Sequence, residues 1–184
     1  MLLRRACAVA AACAACIVLA ACGSSGSGSN GVSASAYVKS ICQAVGPFEK
    51  DVATRSQALN LSGVKTAADG KKALADFLQG VAASTDTAVT KLKAAGNPNI
   101  KNGKQIEAAI VAAFTQLKGA LSQEATSAGS LPTTSPDAFR KAAEALGATV
   151  QSSMTSIGGS LNNLKSADLE AAAKKEPACQ SVGQ

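Results

Sequence analysis

The sequence contains no histidine and no tryptophan. Without histidine, the commonest general base is missing, and so are the usual Ser-His and Cys-His nucleophile pairs and most zinc sites. The 12 acidic residues are dispersed, and neither a P-loop nor a dinucleotide-binding glycine pattern occurs. Aromatic residues make up only 3% of the chain, with no basic stripe beside them, which argues against a nucleic-acid partner. We therefore expect a protein that is not an enzyme and that uses no cofactor or metal.

The first part of the chain has the pattern of a bacterial export signal. Two arginines precede an uncharged, mostly apolar run over residues 6–21, which is short for a transmembrane helix. The run ends in Leu19-Ala20-Ala21-Cys22, which resembles the lipobox of bacterial lipoproteins. The resemblance implies cleavage between Ala21 and Cys22, a diacylglycerol on the Cys22 thiol, and an acyl chain such as palmitate on the new amino terminus. An uncleaved anchor helix, or a plain signal peptide cut elsewhere, is the alternative.

A flexible tether follows Cys22. Residues 23–31 consist of glycine, serine and one asparagine, a composition with an expected reach of about 15–20 Å. A tether of this kind holds a folded domain just off a membrane. We therefore divide the chain into a lipoprotein signal peptide (residues 1–21), a lipidated cysteine with its tether (22–32) and a helical domain (33–184), at the extracytoplasmic face of the cell membrane.

The charges of the mature chain are modest and interspersed. Removal of the signal peptide takes Arg4 and Arg5 from the 18 basic residues and leaves 16 against 12 acidic ones. No block of like charge exceeds a pair such as Lys174-Lys175. This pattern is typical of a solvated helix surface, with weak attraction to anionic lipid headgroups as the alternative.

Two cysteines remain once Cys22 is lipidated and the signal peptide is removed. They are Cys42 and Cys179, at opposite ends of the helical domain. In an exported protein two thiols usually form one disulfide. A free reactive cysteine or a redox pair is the alternative, although neither a Cys-x-x-Cys motif nor a histidine supports it.

Apolar residues after residue 33 recur at intervals of three and four, which predicts helices and no sheet. The periodicity and the capping signals predict four long helices and a short fifth one. Their expected starts and stops are Ser33 or Ser35 to about Ala58, Thr66 to Gly96, Asn102 to Gly129, Ser135 to about Leu164, and Ser166 to Lys175.

Four amphipathic helices of about 20 to 30 residues with short connections predict an antiparallel, up-down four-helix bundle. In this arrangement the fourth helix ends near the start of the first, so that the short fifth helix brings Cys179 back to Cys42. Gly158-Gly159 interrupts the fourth apolar stripe. Either a neighbouring helix approaches closely there, or the helix bends and exposes an internal groove.

The five aromatic residues lie on the helical stripes and are Tyr37, Phe48, Phe77, Phe114 and Phe139. One interpretation is that they form the core. The alternative is that Phe48, Phe77, Phe114 and Phe139 line a site for an acyl chain or another apolar ligand between the helices.

The whole arrangement resembles the small secreted lipoproteins of actinobacteria. The lipobox and tether are followed by a cysteine early in the first helix (Cys42), a Gly/Pro break at Gly96-Asn97-Pro98 and a final cysteine in Glu176-Pro177-Ala178-Cys179. The resemblance implies location and fold, and no biochemical activity. We expect a monomeric, membrane-anchored binding or scaffold module with an envelope protein as its partner, or else a carrier or sensor of an apolar ligand.

Overall fold

The structure is a computed structural model that describes residues 31–59, 64–162, 164–180 and 182. The predicted signal peptide, the predicted lipidation site Cys22 and the predicted tether up to residue 30 lie outside the described residues. No helix in the described part of the chain is both long enough and apolar enough to cross a bilayer.

The described chain is all-helical, as predicted. Apart from one bridge between Val32 and Pro98, it contains no β-structure. Five α-helices are followed by a 3₁₀ turn: α1 Ala34–Ala58, α2 Ala67–Ala94, α3 Gly103–Gly129, α4 Pro136–Asn162, α5 Ala167–Ala173 and the turn Pro177–Cys179.

Local capping explains why most helices begin where they do. Four hydroxyl side chains each accept a hydrogen bond from the backbone N–H three residues on, and they are Ser33, Thr66, Ser135 and Ser166. These caps confirm the predicted starts of α1, α2, α4 and α5. Gly96 has a φ of 71°, the left-handed conformation that favours glycine just after a helix, as expected after α2.

The helices pack in chain order, with α2 in the middle of the first three. Helix α2 packs extensively against both α1 and α3, whereas α4 packs mainly against α3. Helix α5 and the 3₁₀ turn pack against α1. The C-terminal segment therefore returns to the first helix, as the predicted disulfide requires.

The main core lies between α2, α3 and α4. Phe48 and Val52 of α1 pack against its edge as partly buried side chains. Thr85 is fully buried, and its hydroxyl donates a hydrogen bond to the Val81 carbonyl at 2.7 Å, so that burial leaves no unpaired hydroxyl there. The buried residues of this core are Leu78, Val81, Ala82, Leu117, Leu121, Ala125, Ala128, Leu131 and Leu146.

The predicted disulfide is present. Cys42 of α1 and Cys179 of the 3₁₀ turn are bonded, with their Cα atoms 5.0 Å apart and a sequence separation of 137 residues. The bond closes almost the whole helical domain into one covalent loop.

At Gly159, an added Cβ would meet no atom within 4 Å, so the interpretation that a neighbouring helix approaches closely does not hold at this residue.

Candidate functional site

An apolar groove lies between the beginning of α2 and the first half of α4. Its volume is about 550 Å³, within the range of ligand pockets in proteins. Its apolar lining comes from Val64, Leu74, Pro136, Phe139 and Ala143. Charged and polar side chains form its rim, and they are Lys65, Thr66, Arg140 and Glu144.

The groove forms because α2 and α4 begin side by side. Phe139 lies in the first turn of α4, and its ring packs against Gly70 in the first turn of α2. A Cβ at Gly70 would stand 2.8 Å from the Phe139 Cε1 and Cζ atoms, closer than real Cβ contacts. Glycine at position 70 therefore allows the ring to sit inward, where it forms a wall of the groove. Leu74 and Ala143 join this wall to the main core.

The rim of the groove carries a small ion-pair network. The Arg140 guanidinium lies 3.4 Å from an Asp137 carboxylate oxygen and 3.3 Å from one of Glu144. Both carboxylates raise the pKa of Arg140, with the Asp137 hydrogen bond as the larger cause. Asp137 also lies in the first turn of α4, where a negative charge stabilises the helix. An apolar floor with a charged rim is suited to bind an apolar group whose surroundings stay hydrated.

The four phenylalanines proposed to line a ligand site do not meet in one cavity. Phe48 of α1 and Phe114 of α3 form an edge-to-face pair, with ring centroids 5.9 Å apart and an interplanar angle of 73°. Phe77 is half-buried and packs against the main core. Phe139 is the one of the four that lines the groove between α2 and α4.

The described residues bring together no group of three or more His, Cys, Asp or Glu that could hold a metal ion. Asp51 accepts a hydrogen bond from Arg55 Nε at 2.7 Å, and this bond lowers the pKa of its carboxyl group. A smaller contribution in the same direction comes from Ser84 of α2. The shift is opposite to the raised pKa that a carboxylic acid catalyst needs near neutral pH. Asp51 thus interacts with Arg55 on its own helix and with Ser84 on α2.

Tyr37 is the most unusual polar residue of the domain. It is the single tyrosine of the sequence and is 1% exposed. Its hydroxyl has no hydrogen-bond partner within the described structure. Burial, followed by the nearby Glu107 charge, raises the pKa of Tyr37 to about 12.

Because there is one tyrosine, its ionisation can be followed directly by the phenolate absorption band. We expect the midpoint of phenol ionisation to lie near pH 12 in the folded protein and near pH 10 after denaturation. Since the folded pKa is the higher one, ionisation of this phenol leaves the stability of the domain unchanged below pH 10 and lowers it as the pH rises from 10 towards 12. Tyr37→Phe should remove that alkaline loss and leave neutral-pH stability equal or higher, because the buried hydroxyl is unpaired. An ordinary midpoint in the folded protein would contradict the buried position.

Phe139 could be predicted from the sequence as a lining residue, whereas the rest of the groove could not. Ser135 and Pro136 mark the start of α4, but nothing local indicates that this start lies beside Gly70 and Val64.

No protein-family model, curated protein or solved structure matches this chain.

Proposed function

We propose that this protein is an envelope lipoprotein, held by a lipid on Cys22 at the extracytoplasmic face of the cell membrane, that works as a non-enzymatic binding module. Export and lipidation rest on the lipobox resemblance at Leu19-Ala20-Ala21-Cys22. The binding role rests on the apolar groove between α2 and α4.

We also propose that α1 to α4 run up and down in turn as a bundle. Two contacts support alternating directions. Val32, just before α1, pairs with Pro98, just after α2, which suits an antiparallel pair. Phe139 at the start of α4 packs against Gly70 at the start of α2, which suits a parallel pair within the same bundle.

The observation that carries the proposal is the placement of the groove. The chain from the tether enters beside the end of α2, where Val32 N–H donates to the Asn97 carbonyl at 2.9 Å. The groove lies at the start of α2, about 40 Å away along a helix of 28 residues. A domain anchored at one end thus presents the groove at the other, away from the membrane, where it can receive an apolar side chain of a partner protein.

The alternative is that the same groove takes an acyl chain or another small apolar ligand. Its volume of about 550 Å³ suits that role as well. The groove is partly open to solvent, however, so a long acyl chain bound there would keep part of its surface in water. For this reason we place the protein partner first.

The test uses two matched glycine variants. Gly147 lines the groove, and Gly119 lies on α3 outside its lining; a Cβ at either position would meet nothing within 4 Å. Glutamine at either position should stabilise its helix by about 0.5–1 kcal/mol. Only Gly147→Gln should narrow the groove. A photoreactive residue replacing Lys65 at the rim then reports occupancy in intact cells.

We expect one discrete protein adduct that persists in Gly119→Gln and falls at least several-fold in Gly147→Gln, although both variants melt at or above the wild-type temperature. An adduct with the mass of a lipid and the same dependence would replace the protein partner with the apolar ligand. An adduct that is equal in both variants, or no adduct, would contradict the binding role of the groove.

A further inference from the structure

The charges of the helical domain are unevenly divided between its two ends. We define the tether end as residues 31–39, 91–107 and 164–180, which surround the point where the chain enters the domain. Hydrogen bonds join Val32 to Asn97 and Asn99. Ala34, Asn99 and Lys175 line one shared groove, and Lys101, Gln105 and Lys165 line a second one. The three segments therefore lie close together.

The tether end contains eight lysines, all of them exposed, and four acidic residues. The rest of the mature chain has eight basic and eight acidic residues. The whole net charge of +4 on the mature side chains therefore lies at the tether end. The eight lysines are Lys39, Lys91, Lys93, Lys101, Lys104, Lys165, Lys174 and Lys175.

Helix stability does not explain this excess. Lys91 and Lys93 lie in the last turn of α2, where the helix dipole favours them. Lys101 and Lys104, in contrast, flank the start of α3, where a negative charge would be favoured. Helix α3 has no acidic residue in its first turn, and its N-cap Asn102 makes no side-chain capping hydrogen bond. The helices that begin at the opposite end carry Asp69 and Asp137 in their first turns, and α5, which begins at the tether end, carries Asp168 and Glu170, so α3 is the exception.

We propose that the tether end binds the anionic phospholipid headgroups of the membrane to which the chain is anchored. This inference rests on the proposed lipid anchor. A tether with a reach of about 15–20 Å keeps the tether end close to the bilayer. The tether therefore keeps the local concentration of headgroups around these lysines high, so that individually weak contacts between lysines and headgroups contribute to binding. Each lysine near an anionic surface strengthens binding about 5-fold. The bound domain stands upright, with the groove between α2 and α4 facing outwards.

The experiment measures lysine labelling on vesicles. The lipidated mature chain, which begins at Cys22, is reconstituted in phosphatidylcholine vesicles and in vesicles that also contain phosphatidylglycerol, and its amines are labelled and quantified by mass spectrometry. We expect the tether-end lysines to be labelled more slowly on the anionic vesicles than on phosphatidylcholine vesicles, by a factor of about 5 or more. Exposed lysines elsewhere, such as Lys50, Lys65 and Lys141, should label equally on both. Salt near 1 M, where the Debye length is about 3 Å, should remove the difference.

Two triple variants provide the matched comparison. The combination Lys101→Gln, Lys104→Gln and Lys165→Gln should abolish the difference at Lys174 and Lys175. The combination Lys50→Gln, Lys65→Gln and Lys141→Gln removes the same charge elsewhere and should leave the difference unchanged.

Three outcomes on vesicles would overturn the inference. They are equal labelling on both vesicles, protection of the lysines outside the tether end, and equal protection by inorganic phosphate on phosphatidylcholine vesicles, which would indicate a soluble anion. Protection seen only in cell membranes that retain their proteins would assign the surface to an acidic protein and overturn the inference as well. A chain that does not float with phosphatidylcholine vesicles would instead overturn the anchor itself, so the two failures are distinguishable.

Discussion

Replacing both Cys42 and Cys179 with alanine is expected to lower the stability of the domain by up to about 5 kcal/mol, the chain-entropy value for a loop of 137 residues. For a domain of this size, that loss corresponds to a fall in the melting temperature on the order of 10 °C or more. The alanine pair is chosen because a single substitution would leave a reactive thiol on the other residue.

The loss should be uneven along the chain. Helix α5 has seven residues, too few to be stable alone, and it packs against α1 next to the disulfide. Hydrogen exchange in the double variant should therefore accelerate most in residues 164–180, whereas the paired helices α2 and α3 should retain more of their protection.

Reduction of the wild-type protein provides the control, since it should reproduce the melting curve of the double variant. The thioether expected on Cys22 does not respond to reduction, so the anchor stays in place during this comparison. An unchanged melting temperature after reduction, or alkylation of both thiols before it, would contradict a stabilising disulfide.

Most helix boundaries could be predicted because they depend on neighbouring residues. Four helices are capped by a hydroxyl side chain that accepts from the backbone N–H three residues further on, at Ser33, Thr66, Ser135 and Ser166. Because the two partners are this close in sequence, the cap can be recognised without knowing the fold. The disulfide could be predicted as well, because Cys42 and Cys179 are the two cysteines that remain if the predicted signal peptide is removed and Cys22 is lipidated.

The groove and the order of helix contacts could not be predicted in the same way. Gly70 and Phe139 are far apart in sequence. The Phe139 ring packs against Gly70 only because α2 and α4 begin side by side in the fold. The apolar spacing of α4 shows which face is buried but not which helix covers it. For the same reason the sequence grouped Phe48, Phe77, Phe114 and Phe139 as one lining, whereas the structure places Phe139 apart from the Phe48–Phe114 pair.

The apolar spacing predicts one continuous helix across Pro47, and the structure confirms it. Pro47 lies inside α1, where it removes one backbone hydrogen bond, and the helix continues through it. Apolar residues on both sides of Pro47, including Val38 and Val52, are wholly or partly buried. Tertiary packing of that face therefore holds α1 together across the proline.

Cys22→Ala is expected to have the largest effect on the protein in its cell. Lipid attachment needs the cysteine thiol, and the cleavage implied by the lipobox resemblance follows lipid attachment. The variant should therefore remain an uncleaved precursor or appear in the soluble fraction, whereas the wild-type chain stays with the membrane. The double variant Cys42→Ala and Cys179→Ala, which leaves the lipobox intact and frees no thiol, serves as the control and should be retained like the wild type.

The intact mass of the wild-type chain extracted from membranes, measured beside the Cys22→Ala variant, tests the lipid anchor most directly. We expect the wild-type mass to correspond to a chain that begins at Cys22, carries a diacylglycerol and an acyl chain, and is lighter than its reduced form by two hydrogen atoms. For the variant we expect the mass of the full chain or of an unlipidated product. A wild-type chain without lipid, or a variant that is cleaved and retained like the wild type, would contradict the anchor and with it the placement of the groove away from the membrane.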